Sequence, residues 1–377
     1  MFSRKQYTHY WIEWQRRQRR GRTHRLEISH HKEEGNDMNT DVHDAGGSVH
    51  LIGINKGGGT KTTTAVNMGV MMNLLGCSTL MVDAAPEAHT TYSFGYLPDQ
   101  IGYSLYDLLA KKCSLEDVVV PTYYDLESRT FFCPTEKVDP HDPHSQTLLQ
   151  VLGQNNKVIR GPDLIPLKLS DEGDEIIRGK PLKELLLRKA LIPARKRYDY
   201  IMCDSNPDLL NILTKNGVYA ADWVCIPFVP EQLTAVGFGN IYNAIQQAQE
   251  EGNPHLKIAG VVLNKVRDLN VHRDVIDPFR EITEMQHIRI FETIIRDNPK
   301  RFLEAANRRS VVVLNDHLSD SAFEYWGFLT EYLEVVGGPG KQAIKQILQH
   351  LLKERQQMEE EREQKRQLRA LKKSDVR

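Results

Sequence analysis

The sequence predicts an α/β protein, a parallel twisted sheet flanked by helices on both faces. Three observations lead there. From Val49 onward, short apolar runs of strand length alternate with helical patterns, the signature of a parallel sheet covered on both sides. The stretch "LIGINKGGGTKTTTAVNMG" (51–69) runs from an apolar strand through glycines and Lys-Thr-Thr-Thr into an apolar helix, the layout of a loop that wraps an anion. The chain has 377 residues, 40% of them hydrophobic, enough to bury a substantial core.

Taken in order, strands are expected over 50–55, 79–83, 129–134, 200–204, 223–228 and 258–264, and a further apolar strand over 311–314. Helices are expected over 61–75, 207–219, 235–250, 274–285 and 319–335. The segments "VDPHDPHSQ" and "LSDEGDEIIRGK" read as loops, or as an insertion between the third and fourth strands. Residues 1–45, with "WQRRQRRGRTHR" and a polar Gly-containing stretch, form a basic arm outside the core, expected to be flexible. Met38 is an alternative start that would remove most of that arm. The domain proper spans 46–336. "GGPG" (337–340) then breaks the chain ahead of a helix over 341–377, amphipathic at Ile344, Ile347, Leu348, Leu351 and Leu352 and highly charged beyond them. Its apolar face is expected to dock on the body or on a partner copy.

Charge is distributed unevenly. Residues 1–31 carry eight Lys/Arg against two acids and 341–377 carry eleven against six, leaving 30 basic and 42 acidic residues between. An acidic body with two basic ends suits a polyanion, although solvated charge runs are commoner. No apolar run is long enough to cross a bilayer and the N-terminus lacks a signal-peptide core, so a cytoplasmic protein with no membrane contact is expected. The five cysteines form no CxxC pair. Four of them, Cys77, Cys133, Cys203 and Cys225, lie in or beside apolar runs, which favours free thiols over disulfides or metal ligands.

The loop repays inspection residue by residue. Backbone N–H groups of Gly57, Gly58 and Gly59 would face an anion at the positive end of the following helix. Lys61 stands where an ammonium reaches the outer phosphates of a nucleotide. Thr62 could coordinate Mg²⁺, and Thr63 lies near the inner phosphate. The strict GxxxxGK[ST] pattern fails, because Asn55 and Thr60 occupy its two glycine positions.

A second lysine, Lys56, precedes Lys61 by five residues. "KGGGTKTTT" thereby resembles the deviant Walker A motif of the ParA/MinD family of partition and positioning ATPases. "TLMVDAAPEAHTT" resembles that family's DxDPQ segment, and "RYDYIMCDSNPDLLNILTKNGVYAADWVCIPFVPE" its Walker B strand and the following turn and strand. "GVVLNKV" resembles the strand that ends in a base-contacting asparagine, and "SDSAFEYWGFLTEYLE" the closing helix. The resemblance covers 51–334 and implies a P-loop NTPase of deviant Walker A type that binds ATP and Mg²⁺. It implies that Lys56 reaches a partner's nucleotide across the interface of an ATP-state homodimer. Gly57, Gly58, Gly59, Thr60, Lys61, Thr62 and Thr63 would line the phosphates, with Thr62 on the metal. Asp83 and Asp204 would be catalytic, Asp204 acting on the metal through water, and Asn264 would lie beside adenine. "NKVRD" is not a guanine-reading NKxD, because Asp268 falls one residue late.

The family pattern is broken in two places. Thr60 replaces a glycine where backbone passes close to phosphate; at positive φ it would cost about 1–3 kcal/mol, and at negative φ mainly crowding. Ala85 replaces the second aspartate of DxD, which helps position the attacking water, and alanine can neither take a proton nor orient water. Glu87 is a carboxylate two residues on that could substitute. Binding with slow hydrolysis is the expectation.

The resemblance further implies non-specific DNA binding through basic residues near the C-terminal part, here Lys300, Arg301, Arg308 and Arg309, on a nucleoid or plasmid and with a ParB-like or other adaptor. Arg16, Arg17, Arg19, Arg20 and Arg22 could add a polyanion contact. Two other classes are weighed against this reading. One is a nucleotide-dependent regulatory scaffold without turnover. The other is an iron-sulfur ATPase of the nitrogenase-reductase type, against which the scattered cysteines count.

Overall fold

A computed structural model describes residues 46–53, 60–134, 158–206, 208–267 and 269–374. The expectations for Lys56, Gly57, Gly58 and Gly59, for the arm over 1–45, for Asp268 and for "VDPHDPHSQ" lie outside the described residues.

The main sheet has seven strands: β1 (Ser48–Ile52), β2 (Thr79–Ala84), β6 (Asp163–Ile165), β7 (Tyr200–Ser205), β8 (Trp223–Phe228), β9 (Lys257–Val266) and β10 (Ile295–Arg296). Their spatial order is β10-β9-β8-β1-β7-β2-β6, and every neighbouring pair is parallel. Burial on both faces explains the sequence of the central strands. Val49 and Leu51 point into one apolar layer with Leu80, Val82, Ile201 and Cys203, while Ile52, Met81 and Met202 point into the other.

The second layer is covered by the helix Thr60–Leu74, 13 of whose 15 residues are buried, and by Asp320–Val336 with Tyr325, Trp326, Phe328 and Leu329. Gly69 lets the first of these helices lie flat on the sheet, since a Cβ there would sit 2.1 Å from Met81 Sδ. The opposite layer is covered by Ile212–Ala220, Gln232–Glu251 and Leu269–Met285. Asn211 caps the first of these with bonds to its Oδ1 from Leu213 N (2.9 Å) and Thr214 N (3.2 Å), which starts the helix later than the sequence pattern suggests.

Three expectations are corrected. The run 129–134 yields β4 (Thr130–Phe132), which joins no main-sheet strand; with β3 (Tyr123–Asp125) and β5 (Val158–Arg160) it forms a small antiparallel sheet. The main-sheet edge beside β2 is instead formed by the three-residue β6, too short to carry a periodic signal. "LSDEGDEIIRGK" holds a helix, Asp171–Arg178, capped by Ser170. The apolar run 311–314 is a short helix, Val312–Asn315, rather than a strand.

The last helix, Lys341–Ser374, runs for 34 residues, about 51 Å at the usual rise. Ile344, Ile347 and Leu351 are buried against the body. Tyr200 holds the turn before it, its hydroxyl lying 3.1 Å from the Gly337 carbonyl and 2.8 Å from that of Pro339. Arg355 closes the docked part through Asp320 (2.7 Å) and the ring of Phe323.

Candidate nucleotide site

The candidate site lies where the parallel strands end and the first helix begins, the usual crevice of such sheets. β1 finishes at Ile52, and Gly53 N donates to Cys225 O at 3.1 Å. Gly53 adopts φ +145°, and a Cβ there would meet Ser205 Oγ at 2.2 Å. Only glycine lets the chain leave β1 this close to the end of β7. Thr60 then opens the helix. It occupies a helical position and is buried, so the bulkier residue is accommodated without left-handed backbone at this point.

Lys61 is 8% exposed and its stem passes beside Gly53. Burial lowers its pKa, while the charges of Asp204 and Glu87 oppose that shift. A largely buried ammonium that feels the charges of two carboxylates is suited to receive a larger anion.

Asp204 ends the core of β7 and is fully buried. Thr90 Oγ1 donates to its Oδ2 at 2.8 Å. Burial pushes its pKa up to about 6, against hydrogen bonds from Thr62 and Thr90 and the charge of Lys61. Among the described residues none donates a hydrogen bond to its Oδ1. An orphaned buried carboxylate oxygen beside a threonine hydroxyl fits a hard cation, and Mg²⁺ takes one or two such protein ligands while substrate phosphates and water complete its shell. No cluster of three or more His, Cys, Asp or Glu side chains suited to a metal occurs among the described residues.

Asp83 is the register partner of Asp204 across β2 and β7. Burial, then the charge of Asp204, pushes its pKa up to about 7. Its Oδ2 accepts from Thr91 N (2.8 Å) and Thr91 Oγ1 (2.7 Å), and its Oδ1 from Ala85 N (3.2 Å). Asp83 thus braces the turn that follows β2. That turn closes through Ala88 N to Ala85 O at 2.8 Å, with Ala88 left-handed at φ 53°. The buried methyl of Ala85 offers no polar group, whereas Glu87 stands on the surface with its carboxylate 3.1 and 3.2 Å from Asn206 Nδ2. Thr90, Thr91 and Asn206 went unrecognised in the sequence. The Thr-Thr pair following the Pro-containing turn is the one visible signal for Thr90 and Thr91, and Asn206 has none in the pattern.

Asn264 is 2% exposed on β9. Its Nδ2 donates to Thr64 Oγ1 (3.1 Å) on the first helix, and its Oδ1 accepts Lys265 N (2.9 Å). It touches the helix that leaves the loop, and a base contact requires its amide to turn from Thr64. The basic quartet is divided between the ends of the helix Pro299–Asn307. Lys300 and Arg308 are exposed. Arg301 is committed to Asp316 (2.5 Å) and Glu304 (3.8 Å). Arg309 is half-buried at φ 49°, its carbonyl accepting Phe131 N. No helix of the described residues is long and apolar enough to cross a membrane.

Comparison with known proteins agrees with this architecture. A family described as AAA domain matches residues 48–133 and 145–258. The sporulation initiation inhibitor protein Soj of Bacillus subtilis is 26% identical over 281 residues, covering 74% of this chain and 95% of its own. The chromosome partitioning protein ParA of Myxococcus xanthus is 27% identical over 281 residues, covering 74% and 85%. Among solved structures, apo McdA of Cyanothece superposes with a TM-score of 0.59 at 18% identity, over 77% of this chain and 99% of that one. At that identity the superposition speaks for the fold alone.

Proposed function

Because the chain belongs to the AAA-domain family that holds the ParA/MinD partition ATPases, we propose that it is an ATP-dependent dimerisation switch for plasmid or chromosome partition or cargo positioning. The observation that carries this reading is the convergence of Lys61, Thr62 and Asp204 at the ends of β1 and β7, with the orphaned Asp204 Oδ1 facing no donor among the described residues.

In this reading Gly57, Gly58, Gly59, Thr60 and Thr63 line the phosphates, Lys61 neutralises the outer ones, and Thr62 with Asp204 (through water) holds Mg²⁺. Mg²⁺ held there would offset the negative charge that builds on the phosphates. Thr90 keeps Asp204 aimed, and Asp83 keeps the turn after β2 in place. Asn264 lies beside adenine, and Lys56 reaches the nucleotide of a second copy. The ATP-state homodimer binds DNA without sequence preference, Lys300 and Arg308 being the cations most open to phosphate, and meets a ParB-like or other adaptor on the nucleoid. The compartment is the cytoplasm.

Hydrolysis is slow, since Ala85 leaves the water without the usual carboxylate, and a slow step prolongs the dimeric state. A second reading is favoured by that same residue: a nucleotide-dependent regulatory scaffold with no physiological turnover. Light scattering with ATP and with ADP tests the switch, and a mass that ignores the nucleotide counts against both readings. Phosphate release stimulated by DNA and adaptor separates the first from the second. Ala85→Asp is expected to speed release at least tenfold, and an unchanged rate would remove the role assigned to this position.

A further inference from the structure

The missing carboxylate at position 85 leaves an unanswered question of chemistry at the site, and the surrounding groups narrow the answer. Asp83 is fully buried and its two oxygens accept three hydrogen bonds. Asp204 is fully buried, gives one oxygen to Thr90 and is the carboxylate suited to the metal. Glu87 differs from both, being exposed and on the Lys61 side, where its charge bears on the ammonium. It is also held. Asn206 Nδ2 reaches both of its oxygens, and Asn206 is itself fixed by Asp208 N donating to its Oδ1 (2.7 Å) and by Thr214 Oγ1 donating to its carbonyl (3.3 Å). Asn206 lies two residues beyond Asp204, so the metal-side strand and the turn after β2 are joined at this contact.

We propose that Glu87, positioned by Asn206, orients the attacking water in place of the carboxylate that Ala85 lacks. This rests on the nucleotide reading above and adds to it the group that completes the reaction. Glu87 accepts a hydrogen bond from the water and turns its lone pair toward the γ-phosphorus. The water oxygen forms the new P–O bond as the bond from the γ-phosphorus to the β–γ bridging oxygen breaks. The electron pair leaves on ADP, and the water proton ends on the released phosphate. Two contacts to one amide let the carboxylate keep a lone pair for the water, since each oxygen has two. A glutamate on a surface turn orients less tightly than an aspartate at a strand end, which agrees with a slow step.

The experiment compares wild type, Glu87→Gln, Glu87→Ala and Asn206→Ala as full chains. Mg²⁺-ATP affinity is measured by calorimetry, and phosphate release under single turnover. The expected result is that Glu87→Ala keeps its affinity within about threefold and loses at least tenfold in rate. Formate should restore part of the rate in Glu87→Ala and none in Glu87→Gln, where the amide still occupies the place beside Asn206; a bracing role would not respond to formate. Asn206→Ala should fall between. A wild-type rate in Glu87→Ala overturns the proposal. So does tighter ATP binding at unchanged rate, which would make Glu87 only a competitor of phosphate for Lys61. Wild type that binds ATP and releases no phosphate also overturns it. Absence of ATP uptake by wild type is a separate outcome, which sinks the nucleotide reading and this inference with it.

Discussion

Asp83 and Asp204 sit side by side at the ends of β2 and β7, register partners in adjacent parallel strands and both fully buried. Their environments divide the labour between them. Asp83 is surrounded by donors from Thr91 and Ala85, whereas Asp204 keeps one oxygen without any among the described residues. In this dry place the charge of Asp204 adds to burial in raising the proton affinity of Asp83, while Lys61 opposes the upward shift of Asp204.

That division predicts a metal-linked phenotype for Asp204→Asn. ATP affinity should drop about tenfold to a hundredfold in Mg²⁺ and stay near the wild-type value in EDTA. Calorimetry in the two buffers checks this, and an equal loss in both would place Asp204 off the metal.

Thr91 has a structural task. Its Oγ1 donates to Asp83 and accepts Leu167 N at 2.9 Å, tying the turn after β2 to the chain beyond β6. Thr91→Val leaves both partners buried without that hydroxyl and should cost about 2–4 kcal/mol by urea unfolding. A change under about 0.5 kcal/mol would show that water replaces it.

His50 makes stability depend on pH. It is buried in the middle of β1 between Ser48 Oγ (2.6 Å) and Tyr332 OH (2.8 Å). Burial, opposed by Asp222 and assisted by Arg195, lowers its pKa from 6.5 to about 4. A lowered value means that the unfolded chain takes the proton first. The contribution is therefore whole above pH 6.5 and is lost as pH falls toward 4, on the order of 3 kcal/mol in all. Urea titrations at pH 7.5, 5.5 and 4.5 should show a slope in wild type that His50→Gln lacks in part. Parallel profiles would assign the slope to other groups.

Much of the fold was legible because parallel strands buried on both faces are continuous apolar runs. Trp223–Phe228 has the bounds expected from the sequence, and Thr79–Ala84 and Tyr200–Ser205 each run one residue longer. What was missed lacked period. Asp163–Ile165 has three residues, and 311–314 is apolar enough for a strand yet too short to distinguish from the helical turn it forms. Thr130–Phe132 was seen as a strand, but nothing local says which sheet it joins. At the site, motif spacing pointed to Lys61, Thr62 and Asp204. It could not show that Thr91 occupies Asp83 or that Asn206 holds Glu87, because those contacts join segments 8 and 119 residues apart.

The basic quartet gives a test in which burial outranks count. Lys300 and Arg308 are exposed, while Arg301 is already paired with Asp316. Lys300→Ala with Arg308→Ala should lower the slope of log affinity for DNA against log salt by about 2, and Arg301→Ala by much less than 1. Equal effects at all three positions would mean that the Asp316 pair opens on DNA.

The central claim is that the loop between β1 and the helix Thr60–Leu74 holds a Mg²⁺-nucleotide on Lys61. Calorimetry of wild type and Lys61→Ala with Mg²⁺-ATP tests it most directly. The account predicts one site per chain in wild type and at least tenfold weaker uptake in the variant. Equal affinity in the two proteins, or no uptake by wild type, would contradict it.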